Sequence, residues 1–306
     1  MNEQVTTELI EWRALSGSSS FQSAIAQLKN FNGDTLYIKR IRFSKNPKKT
    51  IFFLHDVLEH HDRYANSIVE HFKDQGFSDE LIFLDFPGHG LSSGTRGHFS
   101  HIEELVENFI LVLTNIKHAG EFYFWGHGLG ALVALHFCLY GKALVHQELM
   151  KNFKGMIAAN FYFDLTSRLN PIVKLLEVVE QSDALSVSHV KLNRLIWGKD
   201  QSFQRNVQEA YEADPLVIHR LSYQAYRTIE GLAAKISQKA YFIDFPILFL
   251  AGKSDPLINL EKTQLFVKSI EKKYYRLIEL PDSKHDLYND NDSSFVLKEI
   301  LNWVNR

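Results

Sequence analysis

Sulfur, excess charge and long apolar runs are all scarce in this 306-residue chain. There is one cysteine, Cys138, so no internal disulfide can staple the fold. Its place inside the apolar stretch ALVALHFCLY (131–140) suits core packing rather than reactivity. The formal net charge is only −2 and no long basic run occurs, which argues against nucleic acid as a partner. No stretch reaches 18 uninterrupted apolar residues, so no transmembrane segment is expected. The opening MNEQVTTELIEW carries two early glutamates and no apolar core of signal-peptide length. Internal repeats and low-complexity segments are missing too. A soluble, cytoplasmic protein is the expectation.

What is present is a strong core. Hydrophobic residues make up 45% of the chain and phenylalanine alone accounts for 23 positions, enough for a large packed interior. Residues 34–43 (DTLYIKRIRF) alternate like an antiparallel strand, with a turn signal at Asn32-Gly33 just before them. Continuous apolar runs then recur at 50–56, 81–86, 122–126, 154–160 and 246–252, the habit of strands covered on both faces. Helical spacing appears between them at 63–75 and 102–116, and again at 294–305. This alternation predicts an α/β fold, a mostly parallel sheet with helices on both faces. The rhythm stops between 161 and 238, where no strand-like run appears. The segment reads as helices, one over 171–181 opened by Pro171. A core of 1–160 and 239–306 with a helical cap inserted over 161–238 is therefore predicted. The apolar side chains of 172–179 line an acyl channel, touch a membrane surface or simply pack on the core, and packing is the plainest of the three.

One motif carries the functional argument. Residues 121–133, EFYFWGHGLGALV, run from an aromatic strand through Gly126-His127-Gly128-Leu129-Gly130 into a small-residue helix. The pattern is that of a nucleophile elbow, G-x-S-x-G, with Gly128 in the serine's slot. Gly126 and Gly130 supply the two positions where strand and helix pass too close for side chains.

Further stretches extend this to a resemblance over nearly the whole chain. HDVLEHHDRY (55–64), LDFPGHGLSSG (84–94), GHGLG (126–130), ADPL (213–216), AGKSDPLI (251–258), SKHDLYND (283–290) and EILNWV (299–304) stand in order. Together they resemble the monoacylglycerol lipase and lysophospholipase branch of the α/β-hydrolases, grouped with the serine aminopeptidase-like enzymes. The resemblance implies an α/β-hydrolase fold. It also implies a catalytic triad at Gly128, Asp255 and His285, and backbone donors for an oxyanion at Val57 and Leu129. The nucleophile is gone from this set. In the oxyanion loop Asp56 and Leu58 stand where the family has glycines, and Asp62 replaces another further on. A carboxylate at Asp56 would oppose a developing oxyanion, and aspartate and leucine resist glycine's backbone angles, so a reshaped loop is expected.

Two readings follow. In one, the chain is a hydrolase relative without its catalytic serine, binding a small apolar or acyl-bearing ligand or a protein partner, with peripheral membrane contact through the cap open. In the other, it is a carboxylic-ester hydrolase of lysophospholipase or monoacylglycerol lipase type whose serine was exchanged for Gly128. Ser92 matches a turn serine of the family rather than a substitute nucleophile. A water in the space vacated by the serine, activated by His285, is a further route to hydrolysis. No cofactor is expected. His55, His60, His61 and Asp62 are dense enough to suggest a metal, but the family loop accounts for His55 and His60, nothing elsewhere completes a ligand set, and no metal is expected.

Overall fold

The computed structural model describes residues 18–162 and 201–306, with the backbone of three short strands at 7–9, 13–15 and 189–190. The helix expected over 171–181 lies outside the described residues.

The apolar runs become strands, and their burial is two-sided. The strands are β1 (Thr7–Leu9), β2 (Arg13–Leu15), β3 (Ser18–Lys29), β4 (Thr35–Arg42), β5 (Lys49–Leu54) and β6 (Glu80–Leu84). They continue with β7 (Glu121–His127), β8 (Phe153–Ala159), β9 (His189–Val190), β10 (Leu221–Ser222), β11 (Ile247–Gly252) and β12 (Tyr275–Leu280). A single sheet runs in the order β1-β3-β4-β6-β5-β7-β8-β11-β12, with β2 also paired to β3. The segment from β6 to β12 is parallel, whereas β1 to β4 join antiparallel.

Because successive side chains point to opposite faces, each central strand feeds two apolar layers. Phe52, Ile82, Phe124, Met156 and Phe249 enter one layer. Their neighbours Phe53, Phe83, Trp125, Ile157 and Leu250 enter the other. The helices are α1 (Asp62–Asp74), α2 (Ile102–Asn115), α3 (Leu129–His136) and α4 (Gln147–Met150), then α5 (Arg205–Ala213), α6 (Tyr223–Ser237), α7 (Leu260–Lys268) and α8 (Ser293–Val304). Ile68 and Phe72 of α1 and Val296 and Ile300 of α8 close the second layer. Helices α2, α3 and α6 close the first, with Leu105, Phe109, Leu132, Tyr226 and Ile229 in one cluster. Cys138 is buried there as a free thiol, and burial pushes its pKa up.

Where it is described, the stretch 161–238 differs from expectation. It contributes strands: Leu221 of β10 pairs with Val190 of β9 in an antiparallel ribbon. Each strand is two residues long, too short for any hydrophobic period to register. Helix α6, from the same stretch, packs in the layer of α2 and α3.

All the parallel strands deliver their carboxyl ends to one edge, the place where open α/β sheets assemble sites. Asp56 follows β5, Gly128 follows β7, Asn160 and Tyr162 follow β8, Asp255 follows β11 and His285 follows β12.

Candidate functional site

The elbow keeps its sharp geometry. Strand β7 ends at His127, Gly128 turns the chain with φ 49° and ψ −114°, and α3 begins at Leu129. A side chain at Gly126 would strike the backbone of Ala131, and one at Gly130 would strike the carbonyl of Leu54. The flanking glycines are thus demanded by strand and helix passing in contact. At Gly128 the obstacle is different. A Cβ there would land on the carboxylate of Asp56, well inside van der Waals contact.

Asp56 therefore fills the place that an elbow side chain would take. Its Oδ1 accepts the Leu129 N–H at 2.7 Å, one of the two donors assigned to the oxyanion. Its Oδ2 lies 2.9 Å from His285 Nε2 and accepts from the Tyr162 hydroxyl. The space read from the sequence as vacated by serine is occupied by this carboxylate. The loop around it also departs from expectation. Leu58 adopts φ 67°, so this leucine takes up a glycine-like conformation rather than forcing a new shape. Its carbonyl accepts Ile218 N–H at 2.8 Å, and both Leu58 and Val57 are buried in the first apolar layer.

His285 sits between two acids. Its Nδ1 lies 2.7 Å from Asp255 Oδ2 while its Nε2 faces Asp56. A carboxylate at each ring nitrogen favours the doubly protonated ring. Burial alone would lower its pKa, but Asp255 and Asp56 outweigh burial and hold it well above the ordinary range. Burial works against the charged form of Asp56 too, yet the His285 contact keeps that carboxyl below its usual value. Asp56 and His285 are 0% exposed. A charged pair this deep holds only through such mutual satisfaction.

Two supports were not legible from the motifs. Asn160, with φ 43°, donates from Nδ2 to the carbonyls of Lys284 and His285 at 3.0 and 2.8 Å. Its Oδ1 accepts Gly252 N–H at 2.8 Å, tying the end of β8 to the loops carrying both Asp255 and His285. Tyr162 stacks on the His285 ring at 5.7 Å between centroids, 8° from parallel, and hands its hydroxyl to Asp56. Neither residue stood in a quoted motif. A polar side chain straight after a buried strand, as at Asn160, was the only available signal.

The remaining histidines of 55–61 part company. His55 donates from Nδ1 to the Asp56 carbonyl at 2.6 Å and accepts Phe86 N–H at Nε2. His60 pairs with Asp214 at 2.9 Å, and His61 pairs through Nδ1 with Asp85 at 2.9 Å. Asp62 opens α1 and bonds Lys39 at 2.6 Å. His61 Nε2 also lies 3.2 Å from Asp62 Oδ1, while His55 and His60 turn to other partners. Ser92 is bonded to the Asp85 carbonyl and the Tyr37 N–H.

The family model described as serine aminopeptidase, S33 matches residues 45–292. The chain belongs to this family. Among serine aminopeptidase S33 relatives, a monoacylglycerol lipase of Mycolicibacterium smegmatis is 26% identical over 270 residues, covering 85% of this chain and 89% of the relative. A monoglyceride lipase of Mus musculus is 26% identical over 297 residues, covering 92% and 90%. In structure, the chain is similar to a monoacylglycerol lipase of Paleococcus ferrophilus, with a TM-score of 0.73 and 20% identity over 88% of this chain and 98% of that one. It is also similar to a soluble variant of the Saccharomyces cerevisiae monoglyceride lipase solved with a substrate analogue, TM-score 0.74 and 15% identity over 99% and 97%. These likenesses establish the α/β-hydrolase fold. Among the described residues no helix is long and apolar enough to cross a membrane.

Proposed function

We propose that this member of the serine aminopeptidase S33 family does not hydrolyse esters through an acyl-enzyme, and serves as a binding protein built on a hydrolase frame. The observation that carries the reading is the Asp56 carboxylate at the elbow. Serine chemistry needs a hydroxyl, a neutral imidazole to take its proton and free backbone donors for the oxyanion. Here Gly128 brings no hydroxyl, and His285 faces a carboxylate at each ring nitrogen, which favours the protonated ring. The Leu129 N–H is already bonded to a carboxylate. All three requirements fail at one place.

The relatives named as monoacylglycerol lipases support a small apolar or acyl-bearing ligand, engaged beside residues 161–238, which we take as the cap; a protein partner is the alternative. An otherwise active enzyme with a serine exchanged for Gly128 fits less well, because Asp56 and Leu58 also stand where the resemblance expects glycine. The wild-type protein is incubated with p-nitrophenyl butyrate and with a fluorophosphonate probe. The reading expects turnover at the buffer background and no labelling. Saturable turnover abolished by His285→Ala, or a fluorophosphonate adduct, overturns it.

A further inference from the structure

We infer that Asp56, His127 and His285 form a binding site for one divalent transition-metal ion of the zinc class. The inference goes beyond the reading above and does not depend on it. One ligand atom from each residue can be chosen so that all three lie within 4.8 Å of one another, and all three residues are fully buried. Zinc with N and O donors at about 2.0–2.2 Å places neighbouring ligand atoms roughly 3–3.5 Å apart. Asp56 Oδ2 and His285 Nε2, at 2.9 Å, already stand close to that spacing.

His127 makes the independent case. Neither of its ring nitrogens has a hydrogen-bond partner, although the residue is 0% exposed. A buried imidazole with no partner is a cost that folded proteins rarely leave standing. Its ring meets that of His285 edge-on at 4.8 Å between centroids. A metal beside both rings would engage one nitrogen of His127 and remove part of that cost.

The surroundings are arranged as they are around a ligating histidine. Asp255 holds His285 Nδ1, fixing the ring so that Nε2 is the atom presented, the usual second partner of a metal-bound imidazole. The Leu129 N–H holds Asp56 Oδ1, so Oδ2, which also accepts the Tyr162 hydroxyl, is the oxygen turned toward His285. The Tyr162 hydroxyl, 3.4 Å from His285 Nε2, offers a further oxygen donor. A divalent ion seated there would lie beside the Asp56 carboxylate and one imidazole away from Asp255. Two imidazoles and one carboxylate suit zinc and its neighbours rather than calcium or magnesium.

The test is binding, not activity. Metal-stripped wild-type protein is titrated with Zn²⁺ against a chromophoric chelator, and separately with Co²⁺ by absorption. One ion per chain is expected, with visible cobalt bands of a four- or five-coordinate N/O site. His127→Ala and Asp56→Asn should each weaken zinc binding by about tenfold or more. His146→Ala, exposed at the start of α4, should leave it unchanged. Failure of the wild type to bind, or His127→Ala binding as tightly as wild type, overturns the site. Should a variant fail to fold by circular dichroism, the wild-type cobalt spectrum decides: no such bands, no site. A silent fluorophosphonate assay leaves this result untouched, so the two proposals fail separately.

Discussion

Asp56 can occupy the elbow only because Gly128 has no side chain, and without that carboxylate Gly128 would leave a buried gap. A serine restored alone at Gly128 must displace a carboxylate held by Leu129, Tyr162 and His285. It must also adopt a positive φ that glycine takes freely and serine takes only at a cost of about 1–3 kcal/mol. Gly128→Ser is therefore expected to destabilise the fold by about 2–4 kcal/mol in urea unfolding. Adding Asp56→Gly should recover part of that loss. The double mutant should then be more stable than the two single costs predict, by at least about 1 kcal/mol. Simple additivity would show that the two positions are independent. None of this was visible in the chain's order, because Asp56 and Leu129 are 73 positions apart. Sequence spacing showed that each position was altered. It could not show that the two alterations fill each other's space.

Among the elements, strand β8 does more than its apolar run announces. The Asn160 side chain just past its end clamps the loops after β11 and β12, which carry Asp255 and His285. Asn160→Ala strands buried carbonyl and amide groups and places an alanine at positive φ, so a loss of about 3 kcal/mol is expected in urea unfolding. A loss under about 1 kcal/mol would show the clamp to be incidental. The strands themselves were legible because double-sided burial writes a continuous apolar run, as in Ile51 to Leu54. Helices α1, α2 and α8 were legible from their one-sided spacing. Helix α6 was not placed in the core layer, since its period says that one face is buried but not against what. The β9–β10 ribbon was lost to its brevity. Leu58 misled for another reason: a strong intrinsic preference against positive φ yielded to packing on every side.

Across the molecule, stability should carry a signature of His61. Burial would lower its pKa, but hydrogen bonds and charge from Asp62 and Asp85 raise it to about 9. A histidine raised on folding contributes stability that is complete below its unfolded value near 6.5. That stability is lost as pH climbs through about 9. Allowing for the partly exposed Asp62, the buried pair with Asp85 should contribute on the order of 2 kcal/mol. The urea midpoint of the wild type should therefore fall between pH 6.5 and 9.5 more than that of His61→Gln. Parallel profiles would remove the pair from the account.

The most direct test of the elbow compares intact masses after fluorophosphonate treatment of the wild type, Gly128→Ser, and Gly128→Ser combined with Asp56→Gly. No adduct on the wild type, little on the single variant and clear labelling of the double variant is the predicted result. Labelling of the wild type, or of the single variant as readily as the double, would contradict the claim that Asp56 holds the nucleophile's place.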